Sequence, residues 1–150
     1  MRTDGGLNQD DLKRHPGYLL ARARFQAFRN YERHVGRPFD LKPVEFSILI
    51  LLQSNEDVSQ TQLALAMGVA APNMTGILHR LEARGLVERQ RSGSDKRKQH
   101  IVLTPGGRSL LREAQAAGKT MDKAWLARLS RAEVGMLMEL LDKLAGSQQP

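Results

Sequence analysis

The stretch RLEARGLVERQRSGSDKRKQHIVLTPGG, from Arg80 to Gly107, decides the fold of this 150-residue chain. The residues LVERQR (86–91) and HIVLT (100–104) are of the types that form β-strands, and the polar run SGSDKRKQ (92–99) lies between them. Two strands around a polar loop predict a β-hairpin. Thr104 and Pro105 then predict the cap and the first position of a further helix.

Two short helices are predicted directly before this hairpin. Ser59 and Gln62 have the spacing of a capping box, and Gly68 stands where a helix stop needs a left-handed residue. The next helix begins two or three residues later, so the tight turn GVAA (68–71) gives a helix-turn-helix pattern. All predicted helices together cover residues 18–34, 43–53, 59–67, 71–84, 105–129 (with a break near Gly118) and 130–145. The fold class is therefore mainly α with a small β-hairpin, that is, α+β.

Composition limits the classes of function. The chain has 23 basic and 16 acidic residues, and this excess favours an anionic partner such as nucleic acid. It has no cysteine, which excludes disulfides, thiolate metal sites and a thiol redox switch. The longest apolar run is five residues, 48–52, and the polar start is not typical of a signal peptide. We therefore expect a cytoplasmic protein with no membrane partner.

The helix at 71–84 divides into two faces at 100° per residue. Met74, Ile77, Leu78 and Leu81 fall together and are expected to face the core. The opposite face is small or hydrogen-bonding, which suits a major groove about 12 Å wide. That face and its flanks comprise Pro72, Asn73, Thr75, Gly76, His79, Arg80, Ala83 and Arg84. An ordinary surface helix with an unimportant glycine is the alternative.

The segment from Arg80 to Lys98 carries seven basic and three acidic residues, which is +4 of the chain's +7. A basic hairpin beside a groove-reading helix can contact phosphates and place an arginine in the minor groove. The alternative is a solvated loop, and the preceding helix-turn-helix favours the nucleic-acid interpretation.

The segment from Arg80 to Gly107 resembles the winged helix-turn-helix of the MarR family of bacterial transcriptional regulators. The resemblance rests on the turn into the first strand, on Asp95 and Arg97 in the wing, and on Leu103 and Thr104 before the next helix. It implies a homodimer that binds a pseudo-palindromic operator in double-stranded DNA. It also implies a flexible N-terminus (1–15), a winged region (41–104) and a helical dimerisation region (16–40 with 105–146).

The resemblance also implies roles for individual residues. It places the following at base edges or in a groove: Pro72, Asn73, Thr75, Gly76, His79, Arg80 and Arg97. Asp95 matches the acid that orders the wing. Residues expected at phosphates are Ser59, Gln62, Arg84, Arg89, Arg91, Lys96 and Lys98. The chain departs from the family where Ala70 or Ala71 replaces the usual serine or threonine at the start of the recognition helix.

Many members of this family release DNA when a small, often aromatic molecule binds between the dimerisation region and the winged domain. The resemblance therefore implies a ligand-responsive repressor with a small aromatic effector as a partner. The residues predicted to line its pocket are Tyr18, Arg22, Phe25, Phe28, His34 and Phe46. The alternative is that the aromatic side chains belong to the core and that Arg22 and His34 are surface or interface groups.

Other functions stay open at this stage. The four histidines are scattered and no HExxH, GxSxG or Walker motif occurs, so we expect no enzyme, no metal site and no cofactor. A winged-helix protein-interaction module is one alternative, although it has no need of a basic wing. A ligand-independent activator that displaces silencing proteins is another.

Overall fold

The computed structural model describes residues 7–91 and 99–146. A single 3₁₀ turn, Leu12–Arg14, precedes the first helix. The remaining elements are α1 (Pro16–Tyr31), α2 (Arg37–Phe39), α3 (Pro43–Ser54), α4 (Gln60–Met67), α5 (Ala71–Ala83), β1 (Val87–Arg91), β2 (Gln99–Leu103), α6 (Pro105–Trp125) and α7 (Arg131–Ala145). The predicted fold class, mainly helical with one hairpin, is confirmed.

The chain forms two compact units. The first, here called the helical unit, comprises the described residues 7–32 and 121–146; the second, here called the winged unit, comprises residues 33–120. The predicted division at residues 40/41 and 104/105 concerns dimerisation, which compactness does not test, so it stays a prediction.

The core of the winged unit is built by α3, α4, α5 and α6. Leu49, Leu63, Leu78 and Leu111 are each at most 1% exposed. Burying one such side chain contributes about 1.5–3 kcal/mol to folding. On α5, Met74, Leu78 and Leu81 are buried as predicted, whereas Ile77 is only half-buried. The helical period of α5 therefore separates an apolar inner face from a polar outer face.

The capping signals read from the sequence are confirmed. The Gln62 amide N–H donates to the Ser59 hydroxyl at 3.2 Å, and the Ser59 amide N–H donates to the Gln62 side chain at 2.8 Å. Gly68 ends α4 with φ at +61°, a left-handed conformation. Ala70 precedes α5 without a side-chain cap, and a proline occupies the first turn, where a missing N–H costs no helical bond.

The hairpin is antiparallel, with Val87 opposite Leu103 and Arg91 opposite Gln99. Both strands differ by one residue from the predicted ranges 86–91 and 100–104. Leu86 is outside the strand because its N–H donates to Leu81 O, which closes the end of α5. β2 ends at Leu103, although the Thr104 N–H still donates to Leu86 O at 3.1 Å; the Thr104 hydroxyl accepts from the Gly107 N–H at 2.9 Å and caps α6.

Gly107 has a role that the sequence did not reveal. A Cβ atom added there would lie 1.9 Å from the carbonyl oxygen of Leu86, which is backbone and cannot move aside. The glycine is therefore required for the close approach of α6 to the start of the hairpin.

The predicted end of α6 is wrong. The helix passes without a break through the buried Gly118 and ends at Trp125, four residues before the predicted end at 129. A Cβ atom added at Gly118 would make only an ordinary van der Waals contact with Phe46 Cζ, at 3.9 Å.

The predicted end of the first helical segment at residue 34 is also wrong. Beyond α1, a wider π-type turn, Glu32–Gly36, leads directly into α2. Pro38 lies in the first turn of α2, where its missing N–H has no helical partner to lose. Helical backbone therefore continues to Phe39, and Asp40 ends it with φ at +48°.

Few residues of the helical unit are buried within one chain. Tyr31 is its one buried residue among those described, and α7 has none. Among the described residues, no helix is long and apolar enough to cross a membrane.

Candidate nucleic-acid interface

The outer face of α5 is open to solvent along its length. Pro72, Asn73, Gly76 and His79 are all exposed, as the helical period predicts. A Cβ atom added at Gly76 would meet nothing within 4 Å, so the helix backbone itself is accessible there. This face offers hydrogen-bonding groups without a large apolar side chain, and an α-helix of this kind fits a major groove.

Thr75 lies at the edge of this face, and its hydroxyl already forms two hydrogen bonds within the protein. Its hydroxyl donates to Ala71 O at 3.1 Å and accepts from Gln60 Nε2 at 2.7 Å. The Gln60 side-chain oxygen in turn accepts from Arg89 Nη1 at 3.2 Å, and Arg89 Nε donates to Glu82 at 2.9 Å. These polar contacts join α4, α5 and β1. They fix the angle between the two helices of the helix-turn-helix.

Arg80 and Arg84 donate to acceptors within the protein, Arg80 to two acidic residues and Arg84 to main-chain carbonyls. Arg80 Nε donates to Glu45 Oε1 at 2.7 Å, and Arg80 Nη2 donates to Asp40 Oδ1 at 3.1 Å and to Asp40 O at 3.0 Å. Arg84 donates to Asp40 O at 2.5 Å and to Phe39 O at 2.9 Å. We call Asp40, Glu45, Arg80 and Arg84 the arginine–carboxylate cluster.

Glu45 is the buried member of this cluster. It is 1% exposed, and its second oxygen accepts from the Lys42 amide N–H at 2.8 Å. The hydrogen bond that Glu45 accepts from Arg80 raises the pKa of Arg80, and the bond that Asp40 accepts from Arg80 adds to that effect. The sequence patterns assign no functional role to Glu45 or Asp40. The available signal was an isolated acid two residues after Pro43, in the otherwise apolar segment PVEFSILILL.

The residues predicted at phosphates, together with the wing residues Asp95 and Arg97, fall into four groups. Arg84 and Arg89 are bonded within the protein, whereas Arg91 is exposed at the end of β1. Ser59 and Gln62 bond each other in the capping box at the start of α4. The wing residues Asp95, Lys96, Arg97 and Lys98 lie outside the described residues, and their roles stay predictions.

The residues predicted to line an effector pocket are divided between the two units. Tyr18, Arg22, Phe25 and Phe28 lie on α1 in the helical unit. Phe25 and Phe28 are 59% and 49% exposed, so neither belongs to a core within this chain. His34 and Phe46 are half-buried in the winged unit.

One side of α1 combines aromatic rings with guanidinium groups. The Arg22 guanidinium lies 5.8 Å from the centre of the Tyr18 ring, and that of Arg29 lies 5.8 Å from the centre of the Phe25 ring. Both distances are typical of cation–π contacts. A groove of about 570 Å³ follows this side of the helix. Its lining residues are Leu19, Ala21, Arg22, Ala23, Phe25 and Gln26.

A helix-turn-helix followed by a hairpin, with a polar outer face on its second helix, defines a winged-helix DNA-binding protein. A MarR family model matches residues 39–98 of the chain. The protein assigned as the transcriptional regulatory protein for the hcr operon of Thauera aromatica is 33% identical over 128 residues, 85% of this chain and 77% of that protein.

Two solved structures share the whole architecture. The transcriptional repressor CouR bound to a 23-mer DNA duplex is 33% identical, with a TM-score of 0.87 over 93% of this chain and 99% of that one. CouR bound to p-coumaroyl-CoA is 32% identical, with a TM-score of 0.84 over 94% of this chain and 99% of that one.

The chain belongs to the MarR family. It is a DNA-binding transcriptional regulator of the repressor type. The expectation that it is no enzyme is supported at the level of the family, whose similar members are transcriptional regulators.

Proposed function

We propose that this protein is a dimeric repressor that binds a pseudo-palindromic operator and leaves it when a small aromatic effector binds. The observation that carries the proposal is the open polar face of α5, with Asn73, Gly76 and His79 exposed next to a basic hairpin. The neighbouring CouR structure with bound duplex supports the same mode of action.

The face of α5 suits direct reading of bases. Asn73 carries an amide that can bond adenine in two places, and His79 can donate to or accept from a base edge. Gly76 lets the backbone approach the groove floor, since no side chain stands between them. Arg91 and the predicted wing cation Arg97 then supply charge for phosphates or the minor groove.

Dimerisation is supported by the apolar surface of the helical unit. Large apolar side chains on α1 and α7 are 38–70% exposed, and exposed apolar patches commonly mark interaction surfaces. The most exposed of them are Phe25, Phe28, Met136, Met138, Leu140 and Leu144. A second copy of the chain would cover this surface and present two α5 helices, about 34 Å apart, to successive major grooves.

The effector proposed here has an aromatic ring and an anionic group. Tyr18, Phe25 and Arg22 share one side of α1, so a ring can stack on the aromatic residues while the guanidinium pairs with a carboxylate or phosphate. CouR bound to p-coumaroyl-CoA supports this chemistry. The effector is therefore an aromatic carboxylic acid or its CoA thioester.

Selection of binding sites from genomic duplex DNA tests the operator. The expected result is an inverted repeat with half-sites about one helical turn apart and an affinity that falls steeply with salt. Weak binding without a sequence motif would contradict the proposal and favour a protein-interaction module.

The selected operator then serves as the probe for the effector. p-Coumarate and p-coumaroyl-CoA are titrated against the complex, with CoA alone as the control. Release by either aromatic compound, and not by CoA, supports the proposal. Release that persists in the Phe25→Ala variant would contradict the site on α1. Complete indifference to both compounds would favour a ligand-independent regulator.

A further inference from the structure

We propose that Asp40 and Glu45 are positioning residues for DNA recognition, which act by holding two guanidinium groups on acceptors of the protein itself: Arg80 through both carboxylates and Arg84 through the Asp40 main-chain carbonyl. This inference rests on the proposed function. It changes the role of Arg80, which the sequence predicted at a base edge or groove, and of Arg84, which it predicted at a phosphate.

Burial of Glu45 makes the arginine–carboxylate cluster hard to open. Its carboxylate is 1% exposed and is bonded on one oxygen by Arg80 and on the other by the Lys42 amide. If Arg80 moved to a phosphate, it would leave a buried carboxylate without its counter-charge. Such an unpaired buried charge is strongly destabilising. Arg80 therefore stays on Glu45 when the protein meets DNA.

Asp40 joins the two arginines at one point. Its main-chain carbonyl accepts from both Arg80 and Arg84, and its carboxylate accepts from Arg80. Asp40 can present these groups together because its backbone is left-handed, with φ at +48°. Both guanidinium groups are thus held by the turn between α2 and α3.

The two arginines of the cluster lie at the carboxyl end of α5, where Arg80 directly follows the exposed His79, whereas Asn73 and Gly76 lie on the first and middle turns. Five hydrogen bonds fix the far end of the helix, one to Glu45 at the start of α3 and four to Phe39 and Asp40 at the end of α2. A change in these bonds would rotate or tilt the reading face in the groove. Small displacements of this kind reduce specific binding more than non-specific binding, because base contacts depend on alignment.

Charge-neutral substitutions of the two acids test the inference in the full-length protein. Glu45→Gln and Asp40→Asn keep the size of each side chain and remove its charge. Operator affinity, affinity for random duplex and the salt dependence of both are measured for each variant. Thermal unfolding shows that the variant is folded at the temperature used. Arg91→Ala, at an exposed cation, is the control for a direct phosphate contact.

We expect Glu45→Gln to lower operator affinity by about tenfold, and Asp40→Asn by less, because the Asp40 carbonyl is retained. The salt slope and the affinity for random duplex should not fall in either variant. Arg80→Ala should also leave the salt slope unchanged, whereas Arg91→Ala should lower it by about one unit. The double variant Glu45→Gln/Arg80→Gln should lose no more affinity than the more damaging single variant.

Three results would overturn the inference. The first is operator binding by both acid variants that equals the wild type. The second is a loss of about one unit of salt slope in Arg80→Ala, which would place Arg80 on a phosphate. The third is additivity in the double variant. If the wild type itself selects no operator, the proposed function fails and this inference fails with it. If the wild type selects an operator and one of the three results is found, only this inference fails, so the two failures are distinguishable. Should Glu45→Gln not fold, Asp40→Asn alone decides, because Asp40 is exposed at the surface.

Discussion

The two units of this protein differ in how far their apolar side chains are buried within one chain. All of the largest fully buried side chains, from Val35 to Leu111, lie in the winged unit. In the helical unit α7 buries no residue, and Leu144 and Met138 are 70% and 63% exposed. One unit therefore completes its core within the chain, and the other has an apolar surface left to cover.

This difference shows what helical amphipathicity does and does not predict. The apolar stripe of α7 indicates that one side of the helix avoids water, but it does not indicate which molecule covers that side. In the winged unit the partner surface comes from the same chain. In the helical unit we propose that it comes from a second copy.

The largest effect is expected from charge on the apolar stripe of α7. Leu141→Glu combined with Leu144→Glu should produce monomers at micromolar concentration, because carboxylates are costly to bury in an interface. Operator affinity should fall by about a hundredfold or more, since one winged unit contacts only one half-site. Sedimentation and operator titration measure the two effects.

Leu65→Glu is the matched control for this experiment. Leu65 is as exposed as Leu144, at 70%, but it lies on α4 in the winged unit. The Leu65→Glu substitution should leave the oligomeric state unchanged. A dimeric α7 double variant would contradict the assignment of that helix to the interface.

The next effect is expected in the winged unit, where packing within the chain is tight. Gly107→Ala should lower the free energy of unfolding by about 3 kcal/mol, because the new Cβ would overlap the Leu86 carbonyl. Gly106→Ala is the control, since its Cβ would meet atoms no closer than 3.6 Å. Urea unfolding of both variants measures the difference, and equal midpoints would contradict the steric argument.

A smaller effect is expected from the predicted wing arginine. Arg97→Ala should weaken operator binding and lower the slope of log affinity against log salt by about one unit. Lys143→Ala, which removes a cation on α7, serves as the control and should leave the slope unchanged. An unaltered slope and affinity in Arg97→Ala would exclude the predicted contact.

The smallest effect is expected at the start of α7. The Ser130 amide N–H, and then its hydroxyl, lower the pKa of Glu133. A carboxylate whose pKa is lowered by folding contributes stability that is present above its unfolded pKa and lost as pH falls through its folded pKa. Glu133→Gln should therefore lower the unfolding temperature slightly at pH 7. The difference from the wild type should shrink as pH falls below about 4.3. A pH-independent difference would contradict this cause.

Much of the architecture could be predicted from local sequence signals. The Ser59 and Ser130 capping boxes, the left-handed Gly68 and the Thr104 cap are all present in the structure. Each depends on residues at most three or four positions apart, so the chain itself specifies it. The same holds for the division of α5 into an apolar and a polar face.

Long-range contacts could not be predicted in this way. Arg80 meets partners 35 and 40 positions earlier, and Gly107 is constrained by a carbonyl 21 positions earlier. No periodicity in the sequence links these residues. As a result, the resemblance to the family and the position on α5 predict that Arg80 faces DNA, although its guanidinium is bonded to Glu45.

The sequence by itself determined the order of the helices and the hairpin, the helix caps and the residues on the outer face of α5. These follow from backbone hydrogen bonding and side-chain periodicity, which act over one or two turns. Only the tertiary structure decided which charges are available to a ligand and which are bound within the protein. That choice depends on which residues of distant segments meet, because a buried carboxylate such as Glu45 must keep its counter-charge wherever the fold places it.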